Sequence, residues 1–367
     1  MCTALCYTDA AGKVYFGRTL ELTVELPYQM AFFPVGLPMQ STVDGHPALA
    51  FTLRHALVAV TTPVRFPTPD APLGIGDMKV VDGMNDAGLT FSLLSYPFSD
   101  GPQAPVAADR AVLSASDLGV WALGSFSTVA EVKAALAEQP VMMVALALLG
   151  GAVSPFHYLV NDASGASAVI EFNRGVMHVY DNPVRVMTNA PEFPWHLTNL
   201  ANYTFLSNVD VSSATFGALK VDQPDAGIAT AGLPSSTTAV GRFVRAAYYA
   251  QFTEKAATPD LAVRTVGHIM NNFDRPRGAT IDYPNGGSAP MEVAGLADDK
   301  STPYVTEYTS WTLLADLDRK QLHVRAYTAL NYSMFDLTAL AGRTTPKVVP
   351  FQALEGASSN ATALLAA

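Results

Sequence analysis

The sequence predicts an α+β protein in which helices cover antiparallel sheets. Short β-rich runs fill roughly the first quarter of the chain, and strand-like runs return twice among segments of helical period. This order lacks the regular strand–helix alternation of a doubly wound parallel sheet. Pro- and Gly-bearing turns separate the early runs, which is typical of strands joined by hairpins.

An N-terminal hairpin opens the predicted sheets. Cys2–Thr8 and Lys13–Leu20 flank the turn Asp9–Gly12, so we expect them to pair. A later hairpin should flank the turn Asp162–Gly165, and the two runs after it should form another pair. The remaining predicted strands are Met30–Pro34, Ala48–Leu53, Leu57–Thr62, Gly88–Leu94, Phe156–Val160, Ala168–Phe172, Val176–Tyr180, Val184–Thr188, Tyr308–Ala315 and Gln321–Tyr327.

Three helices are predicted from their capping residues and apolar spacing. Ser127 or Thr128 can cap the first, and the second begins near Thr238. In the third, Thr258 precedes Pro259, and proline is favoured at the first helical position. No low-complexity linker or internal repeat divides the chain, so we predict one domain over residues 2–348. The Ala- and Ser-rich tail, residues 349–367, is expected to be dispensable.

Composition excludes several classes of function. The 367 residues are 49% hydrophobic and 15% charged, which suits a globular core. A net charge of −10 without blocks of like charge argues against nucleic acid or an anionic membrane as a partner. The histidines are scattered and neither C-x-x-C nor H-E-x-x-H occurs, which argues against a metal site.

The N-terminus shows no basic region followed by an apolar core, so the sequence as written favours the cytoplasm. A periplasmic or secreted location would apply if a signal peptide had been removed. The most apolar stretch, Val141–Val153, contains two glycines and is too short to span a bilayer. Cys2 and Cys6 would lie ~13 Å apart on an extended strand, too far for a disulfide.

Cys2 is the first candidate for chemistry. Removal of Met1 would leave one residue with both a free α-amine and a thiol. The ordinary pKa of such an amine is ~8 and that of a cysteine thiol is ~8.5. Such a residue can serve as both base and nucleophile, as in N-terminal-nucleophile hydrolases. The alternative is that Cys2 is buried as a small hydrophobic residue and has no catalytic role.

Three polar residues could assist such a thiol. Arg18, near the end of the second strand, would lie close to Cys2 in the hairpin and could lower the pKa of its thiol. Asn189 follows a strand and precedes Ala190–Pro191, where a side-chain amide could donate to an oxyanion. Arg242 lies in the first turns of a helix, where a cation is mildly unfavourable and indicates another role. Each has a structural alternative as a surface, turn or helix residue.

Several short motifs occur in order along the chain. They are Met1–Thr3, Phe16–Arg18, Asp82–Leu89, Thr188–Pro191 with Trp195–His196, Gly232–Pro234 through Arg242–Phe243, Asn271–Asn272 with Arg277–Gly278, and Thr306–Ser310. As an ordered set they resemble the choloylglycine hydrolases, which comprise bile salt hydrolases and penicillin V acylases. The resemblance spans residues 1 to about 330, nearly the whole chain.

The resemblance implies a four-layer αββα fold with two stacked antiparallel sheets, often assembled as a tetramer. It implies hydrolysis of a linear amide C–N bond with no cofactor and no metal. By the same resemblance, Cys2 would be nucleophile and, through its α-amine, general base. Arg18 and Arg242 would stabilise the thiolate and order the site, and Asn189 would donate to the oxyanion.

Two positions depart from the family pattern. Glu21 stands where most members have Asp, the residue that holds the amine and thiol, and a misplacement of about 1 Å can cost ~10²-fold in rate. Ser95 stands where bile salt hydrolases tend to have Asn and many penicillin acylases Tyr. The backbone N–H of Ser95 can still donate to the oxyanion, and its neighbour Tyr96 is a candidate pocket residue, with a core tyrosine as the alternative.

Three readings of function follow. The first is an amidase that cleaves penicillin V or N-acyl homoserine lactones, in which an apolar acyl group enters a pocket. The second is a conjugated bile salt hydrolase. The third is a catalytically impaired member that binds ligands, for which Glu21 is the main argument. The apolar run Met142–Leu149 could be an acyl-binding wall, although buried core is favoured; His196 is expected near the pocket, and His157 needs no catalytic role.

Overall fold

Two antiparallel sheets lie face to face between outer helices in this computed structural model, which describes residues 1–68, 70–102, 104–283, 304–354 and 361–366. Apolar residues of both sheets fill the space between them, and a second apolar cluster lies between one sheet and its helices. The four layers confirm the predicted α+β class and its αββα arrangement.

The first sheet carries the N-terminal hairpin. Cys2–Thr8 pairs with Val14–Leu22, as predicted, with Cys2 opposite Leu20. Helices Ala239–Phe252 and Pro259–Asn271 pack on its outer face. Within the described residues, the strands in order across this sheet are Val186–Met187, Cys2–Thr8, Val14–Leu22, Tyr308–Asp316, Gln321–Ala326 and Ser333–Asp336.

The second sheet is larger and lies against helices Leu118–Ser125 and Val129–Glu138. Its central strand, Met78–Asn85, contains a bulge opposite Val60 and Thr61. In the part of the chain that the structure describes, the strands in order across this sheet are Val176–Asp181, Ser167–Asn173, Phe156–Asn161, Thr90–Ser95, Met78–Asn85, Leu57–Pro63, Gln29–Phe33 and Lys347–Pro350.

Short elements connect the layers. The two-stranded pairs are Pro38–Ser41 with Leu49–Thr52, Leu113–Ser114 with Val141–Met142, Ala145–Leu146 with Ala152–Val153, and Ser213–Phe216 with Leu219–Asp222. The short α-helices are Phe193–Asn199 and Thr362–Ala366. Turns of 3₁₀-helix lie at Ile75–Asp77, Ala115–Asp117, Ala147–Leu149, Leu200–Tyr203, Ile228–Gly232, Thr338–Leu340 and Phe351–Leu354.

The predicted helix caps are present. Thr128 accepts a hydrogen bond from the backbone N–H of Glu131, whose side chain bonds back, forming a capping box. Thr238 and Thr258 cap the next two long helices through their side-chain oxygens. No helix in the described part of the chain is both long and apolar enough to cross a bilayer.

One predicted strand pair is wrong. Val184–Thr188 was expected to pair with Val176–Tyr180, but Val186–Met187 joins the first sheet beside Ala4 and Leu5. The chain turns between residues 182 and 185, where Arg185 has a left-handed φ of 55°. This turn carries the chain from one sheet to the other. The strand Met78–Asn85 and the helix Leu118–Ser125 were not predicted.

The C-terminal tail, which the sequence predicts to be dispensable, packs on the body of the protein. The strand Lys347–Pro350 pairs with Gln29–Phe33 and so continues past residue 348. Phe351 packs against Tyr28, with ring centroids 5.8 Å apart. Leu354 and Leu365 are buried in the cluster between the sheets. Apolar side chains spaced among the Ala and Ser residues therefore anchor this segment.

We expect Leu365→Ala to lower the free energy of unfolding by about 2–4 kcal/mol, because it opens a cavity in a packed site. Leu330 is 95% exposed and provides the matched control. Leu330→Ala should change stability by less than ~0.5 kcal/mol. Denaturant unfolding of both variants checks the prediction, and equal stability would show that the tail contributes nothing to the fold.

Candidate active site

The thiol of Cys2 lies between the two sheets, beside Arg18. Ala4 is opposite Arg18 in the hairpin, so Arg18 is diagonal to Cys2 on the same face, within reach of a long side chain. Arg18 Nη2 lies 3.2 Å from Cys2 Sγ and donates to it. Both side chains are buried. The hairpin therefore places a fixed positive charge against the thiol.

Arg18 is held from the second sheet. Its Nη1 donates to Asp82 Oδ2 at 2.8 Å and to the Val81 carbonyl at 3.2 Å, and its Nη2 also donates to the Leu93 carbonyl. Its guanidinium carbon lies 4.9 Å from the ring centre of Trp311. Burial lowers the pKa of Arg18, but its interactions with Cys2 and Asp82 outweigh burial and raise that pKa above its ordinary value. Arg18 therefore stays charged.

Asp82 is the fully buried counter-ion of Arg18. Ser92 Oγ donates to the same carboxylate oxygen, Oδ2, at 2.7 Å. Burial raises the pKa of Asp82 to about 6, against the opposing effects of Arg18 and Ser92. Asp82 opens a motif that the sequence singled out, but sequence reasoning gave it no role. A charged residue in a run of apolar strand residues was the available signal.

The backbone of Cys2 is fixed by Asn189 and Arg242. The N–H of Cys2 donates to Asn189 Oδ1 at 2.8 Å, and Arg242 Nη2 donates to the same oxygen at 2.7 Å. Arg242 Nη1 donates to the Cys2 carbonyl and to Thr3 Oγ1. None of these bonds goes to the thiol. Arg18 is thus the arginine that contacts sulfur, while Arg242 orders the residues around it.

Asn189 has a second use for its amide group. Its Nδ2 donates to the Ser95 carbonyl at 2.7 Å, which occupies one of the two N–H bonds of that nitrogen. His196 Nε2 lies 2.8 Å from the Asn189 carbonyl, so His196 fixes the backbone of Asn189. The sequence predicted that His196 lies near the pocket. The remaining N–H of Asn189 is the one available to an oxyanion.

A buried pair supports the segment that carries Asn189. His157 Nδ1 lies 3.0 Å from Glu171 Oε1, and His157 Nε2 lies 3.0 Å from the Thr188 carbonyl. The Glu171 carboxylate also accepts the backbone N–H of Phe193. His157 and Glu171 thereby fix the chain on both sides of Asn189. Sequence reasoning missed Glu171, because its partners are remote in the chain.

Glu21 is buried but does not hold Cys2. Its Oε1 accepts a hydrogen bond from Thr309 Oγ1 at 3.3 Å, and among the described residues its Oε2 has no partner. Burial raises the pKa of Glu21, and Arg242 opposes that rise. The N-terminal amine of Met1 bonds to the Glu21 carbonyl and lies 3.2 Å from Glu307 Oε1. Glu307 is thus a second acidic residue near the Met1 amine. It lies in the motif Thr306–Ser310, but the sequence assigned it no role.

A cavity of about 570 Å³ adjoins Cys2 and is lined mainly by apolar side chains. Its volume is in the range of small-molecule sites. Residues 143–149 of the apolar run form part of its wall, so the preference for buried core in that run is wrong. Ser95 also lines the cavity. Other lining residues include Leu20, Leu22, Leu26, Tyr28, Val81, Leu93 and Phe156.

Tyr96 does not line this cavity, so its predicted role in substrate binding is not supported. Its hydroxyl donates to Asn173 Oδ1 at 2.7 Å, and its ring stacks on His157 at 4.8 Å. Tyr96 directly follows the end of the strand Thr90–Ser95, and its side chain lies against His157 and Asn173 instead of the cavity. Cys6 is also a core residue, since burial raises the pKa of its thiol to about 12. Among the described residues, no cluster of His, Cys, Asp and Glu could hold a metal ion.

Comparisons with known proteins agree with this geometry. A sequence model of the "linear amide C–N hydrolases, choloylglycine hydrolase family" matches residues 2–341. A conjugated bile acid hydrolase from Lactobacillus acidophilus is 32% identical over 68% of this chain and 74% of its own length. A penicillin V acylase from Pectobacterium atrosepticum is 27% identical over 83% of this chain and 77% of its own. The crystal structure of a mutant conjugated bile acid hydrolase from Clostridium perfringens covers 98% of each chain with a TM-score of 0.76 and 20% identity, which supports the fold.

The raised pKa of Asp82 predicts a pH-dependent stability. Because this pKa is about 6 in the folded protein and 3.8 ordinarily, the folded state binds the proton more tightly. The part of the stability that comes from this tighter proton binding is therefore largest below pH 3.8 and is lost as the pH rises through about 6. The stability of wild type relative to Asp82→Asn should fall by up to ~3 kcal/mol across this window.

Denaturant unfolding of the two proteins at several pH values checks this prediction. The Asp82→Asn variant is the reference for the wild type, since the other titrating groups are common to both proteins. A difference in unfolding free energy that stays constant from pH 4 to pH 7 would contradict the assigned pKa.

Proposed function

The chain belongs to the choloylglycine hydrolase family of linear amide C–N hydrolases, and we propose that Cys2 is the nucleophile of this hydrolase. The observation that carries the proposal is the buried contact between Arg18 Nη2 and Cys2 Sγ at the end of a cavity. The charge of Arg18 lies beside the sulfur, the atom that would attack the substrate, and the thiolate is the reactive form of cysteine. Removal of Met1 would give Cys2 the free α-amine that the reaction needs as a base.

The proposed reaction uses these positions. The α-amine takes the proton of the thiol, the resulting thiolate attacks the amide carbon, and the carbonyl electrons move to the oxygen. The free N–H of Asn189 and the backbone N–H of Ser95 would donate to that oxyanion. The protonated α-amine then gives its proton to the leaving nitrogen, the C–N bond breaks, and a thioester remains on Cys2. Water, deprotonated by the α-amine, attacks the thioester and releases the acid and the thiol.

The substrate we propose first is penicillin V or an N-acyl homoserine lactone. The apolar lining of the cavity supports an apolar acyl group, because the burial of such a group stabilises the complex by ~25 cal/mol per Å². Ser95 supports this reading over bile salts, since it lacks the Asn side chain that the resemblance associates with bile salt hydrolases.

A conjugated bile acid is the second candidate. The named relative from Lactobacillus acidophilus, at 32% identity, is a conjugated bile acid hydrolase, whereas the penicillin V acylase relative is 27% identical. A cavity of about 570 Å³ can also hold an acyl group larger than the phenoxyacetyl group of penicillin V. A direct comparison of substrates is therefore the test.

We expect purified protein without Met1 to release amine from at least one of penicillin V, an N-acyl homoserine lactone and glycocholate. Cys2→Ala should lower this rate by at least ~10³-fold, because the nucleophile is lost. Intact-mass measurement establishes whether Met1 is present, and a primary-amine assay follows all three reactions. No Cys2-dependent release from any of the three would support the ligand-binding reading instead.

The position of Glu21 makes a separate prediction. We expect Glu21→Asp to lower kcat/KM on the best substrate by about tenfold. The shorter side chain would lose the hydrogen bond from Thr309 and would leave space in a site that is packed around Glu. Thr309→Val is the matched control, because it removes the same hydrogen bond without shortening the carboxylate. A gain in kcat/KM for Glu21→Asp would instead show that Glu21 impairs catalysis.

We propose that the chain forms homo-oligomers, with a tetramer expected from the family. An exposed apolar patch on and around the hairpin Ser213–Asp222 supports the proposal, since monomers rarely expose such a surface. The exposed apolar residues in this patch are Phe205, Val209, Val211, Phe216, Leu219 and Val221.

Light scattering of the purified protein tests the assembly. We expect an oligomer for wild type and a smaller species for Phe216→Glu, because a charge in an apolar interface is unpaired. Phe98→Glu, at a residue of similar exposure (68% against 69%) outside the patch, is the control. A monomeric wild-type chain would overturn the proposal.

A further inference from the structure

A charged pair lies in the wall of the mainly apolar cavity. Lys79 Nζ donates to Asp117 Oδ1, and both residues line the cavity together with Ser114 and Ser116. The Asp117 side chain is 7% exposed and that of Lys79 22%. Charged residues are seldom buried to this extent unless a partner or a ligand compensates them. The reaction proposed above uses none of these four residues, which we call the polar patch.

The polar patch lies away from Cys2 along the second sheet. Val81, whose carbonyl binds Arg18, marks the catalytic end of the strand Met78–Asn85. Lys79 precedes Val81 by two residues, which on a strand means the same face and a displacement of ~7 Å. Asp117 reaches Lys79 from the 3₁₀ turn before the helix Leu118–Ser125. An acyl group bound at Cys2 would therefore meet the polar patch with its remote part.

The pair has hydrogen-bonding capacity to spare. Asp117 Oδ2 accepts from Ser41 Oγ at 2.7 Å, so each carboxylate oxygen has one partner and a free lone pair. An ammonium group has three N–H bonds, and among the described residues Asp117 is the one hydrogen-bond partner of Lys79 Nζ. One small group placed against the pair could accept from Lys79 and donate to Asp117.

We propose that the polar patch binds a hydroxyl group carried by the part of the acyl chain remote from the scissile amide. A hydroxyl is both donor and acceptor, so it matches Lys79 and Asp117 together. A remote carboxylate fits less well, because Asp117 and the rim residue Asp44 outnumber Lys79 among the charged residues of the wall. The inference rests on the proposed function, since it takes the acyl group to occupy this cavity.

Binding to an inactive protein tests the polar patch separately from catalysis. The probes are N-octanoyl-, N-decanoyl- and N-dodecanoylglycine, each with its ω-hydroxy and ω-carboxy counterpart, titrated calorimetrically into Cys2→Ala protein. At one or more of the three chain lengths, the ω-hydroxy probe should bind about tenfold more tightly than the unsubstituted one, as expected for hydrogen bonds to charged groups. The ω-carboxy probe should show no such gain.

Lys79→Met, added to Cys2→Ala, should remove the hydroxyl preference and leave the affinity for the unsubstituted probe within about threefold. Lys133→Met is the matched control, because it breaks a Lys–Asp ion pair with Asp181 outside the cavity. If Lys79→Met fails to fold with Asp117 unpaired, Lys79→Met with Asp117→Leu removes both charges and should also abolish the preference.

The outcomes separate the two proposals. Equal affinity for hydroxylated and plain probes at every length, or a preference that survives in Lys79→Met, overturns the hydroxyl site. Loss of the preference in Lys133→Met overturns it as well. A hydroxyl preference in Cys2→Ala protein, together with no turnover of any probe by the protein with Cys2, would retain the site and refute the proposed hydrolysis.

Discussion

The buried guanidinium of Arg18 is the constraint on which the rest of the structure depends. It extends from the first sheet and is satisfied by the second, through Asp82 and the carbonyls of Val81 and Leu93. The removal of one partner from such a buried pair typically costs ~3–5 kcal/mol, so the relative position of the sheets is strongly fixed here. The same guanidinium contacts Cys2 Sγ, so the geometry of the site depends on how the sheets pack.

Around this centre, charge is divided between two arginines with different tasks. Arg18 contacts the sulfur, while Arg242 binds the carbonyl of Cys2 and the side-chain oxygen of Asn189. Because Asn189 Oδ1 accepts from both Arg242 and the Cys2 N–H, the orientation of its amide is determined. The Nδ2 group must then face Ser95, whose carbonyl accepts one of its N–H bonds. The hydrogen bonds that preorganise this site therefore involve the backbone groups of Cys2 as well as charged side chains.

Much of the fold could be predicted because its signals are local. The hairpin of Cys2–Thr8 follows from its turn, and its register alone brings Arg18 to Cys2. What failed depends on contacts between remote segments. The chain crosses to the first sheet before Val186–Met187 because of a turn whose backbone groups form hydrogen bonds with Ser167 and Cys6. The residues of the run 143–149 are apolar in core and cavity wall alike, so composition could not separate these environments. The role of Asp82 required knowing that two sheets stack.

The departure at Glu21 has a different meaning in the folded protein than it has in the sequence. An extra methylene near Cys2 suggests a displaced carboxylate, yet the Cys2 N–H is held by Asn189 rather than by Glu21. Glu21 Oε1 instead binds Thr309 on the neighbouring strand, and its backbone pairs with Met1. Once Met1 is removed, the Glu307 carboxylate and the Glu21 backbone carbonyl are near the space that the Met1 amine occupied. Glu21 Oε2 has no hydrogen-bond partner in the described structure. The longer side chain is therefore compatible with an ordered site, because the position of Cys2 is set by Asn189, Arg18 and Arg242 together.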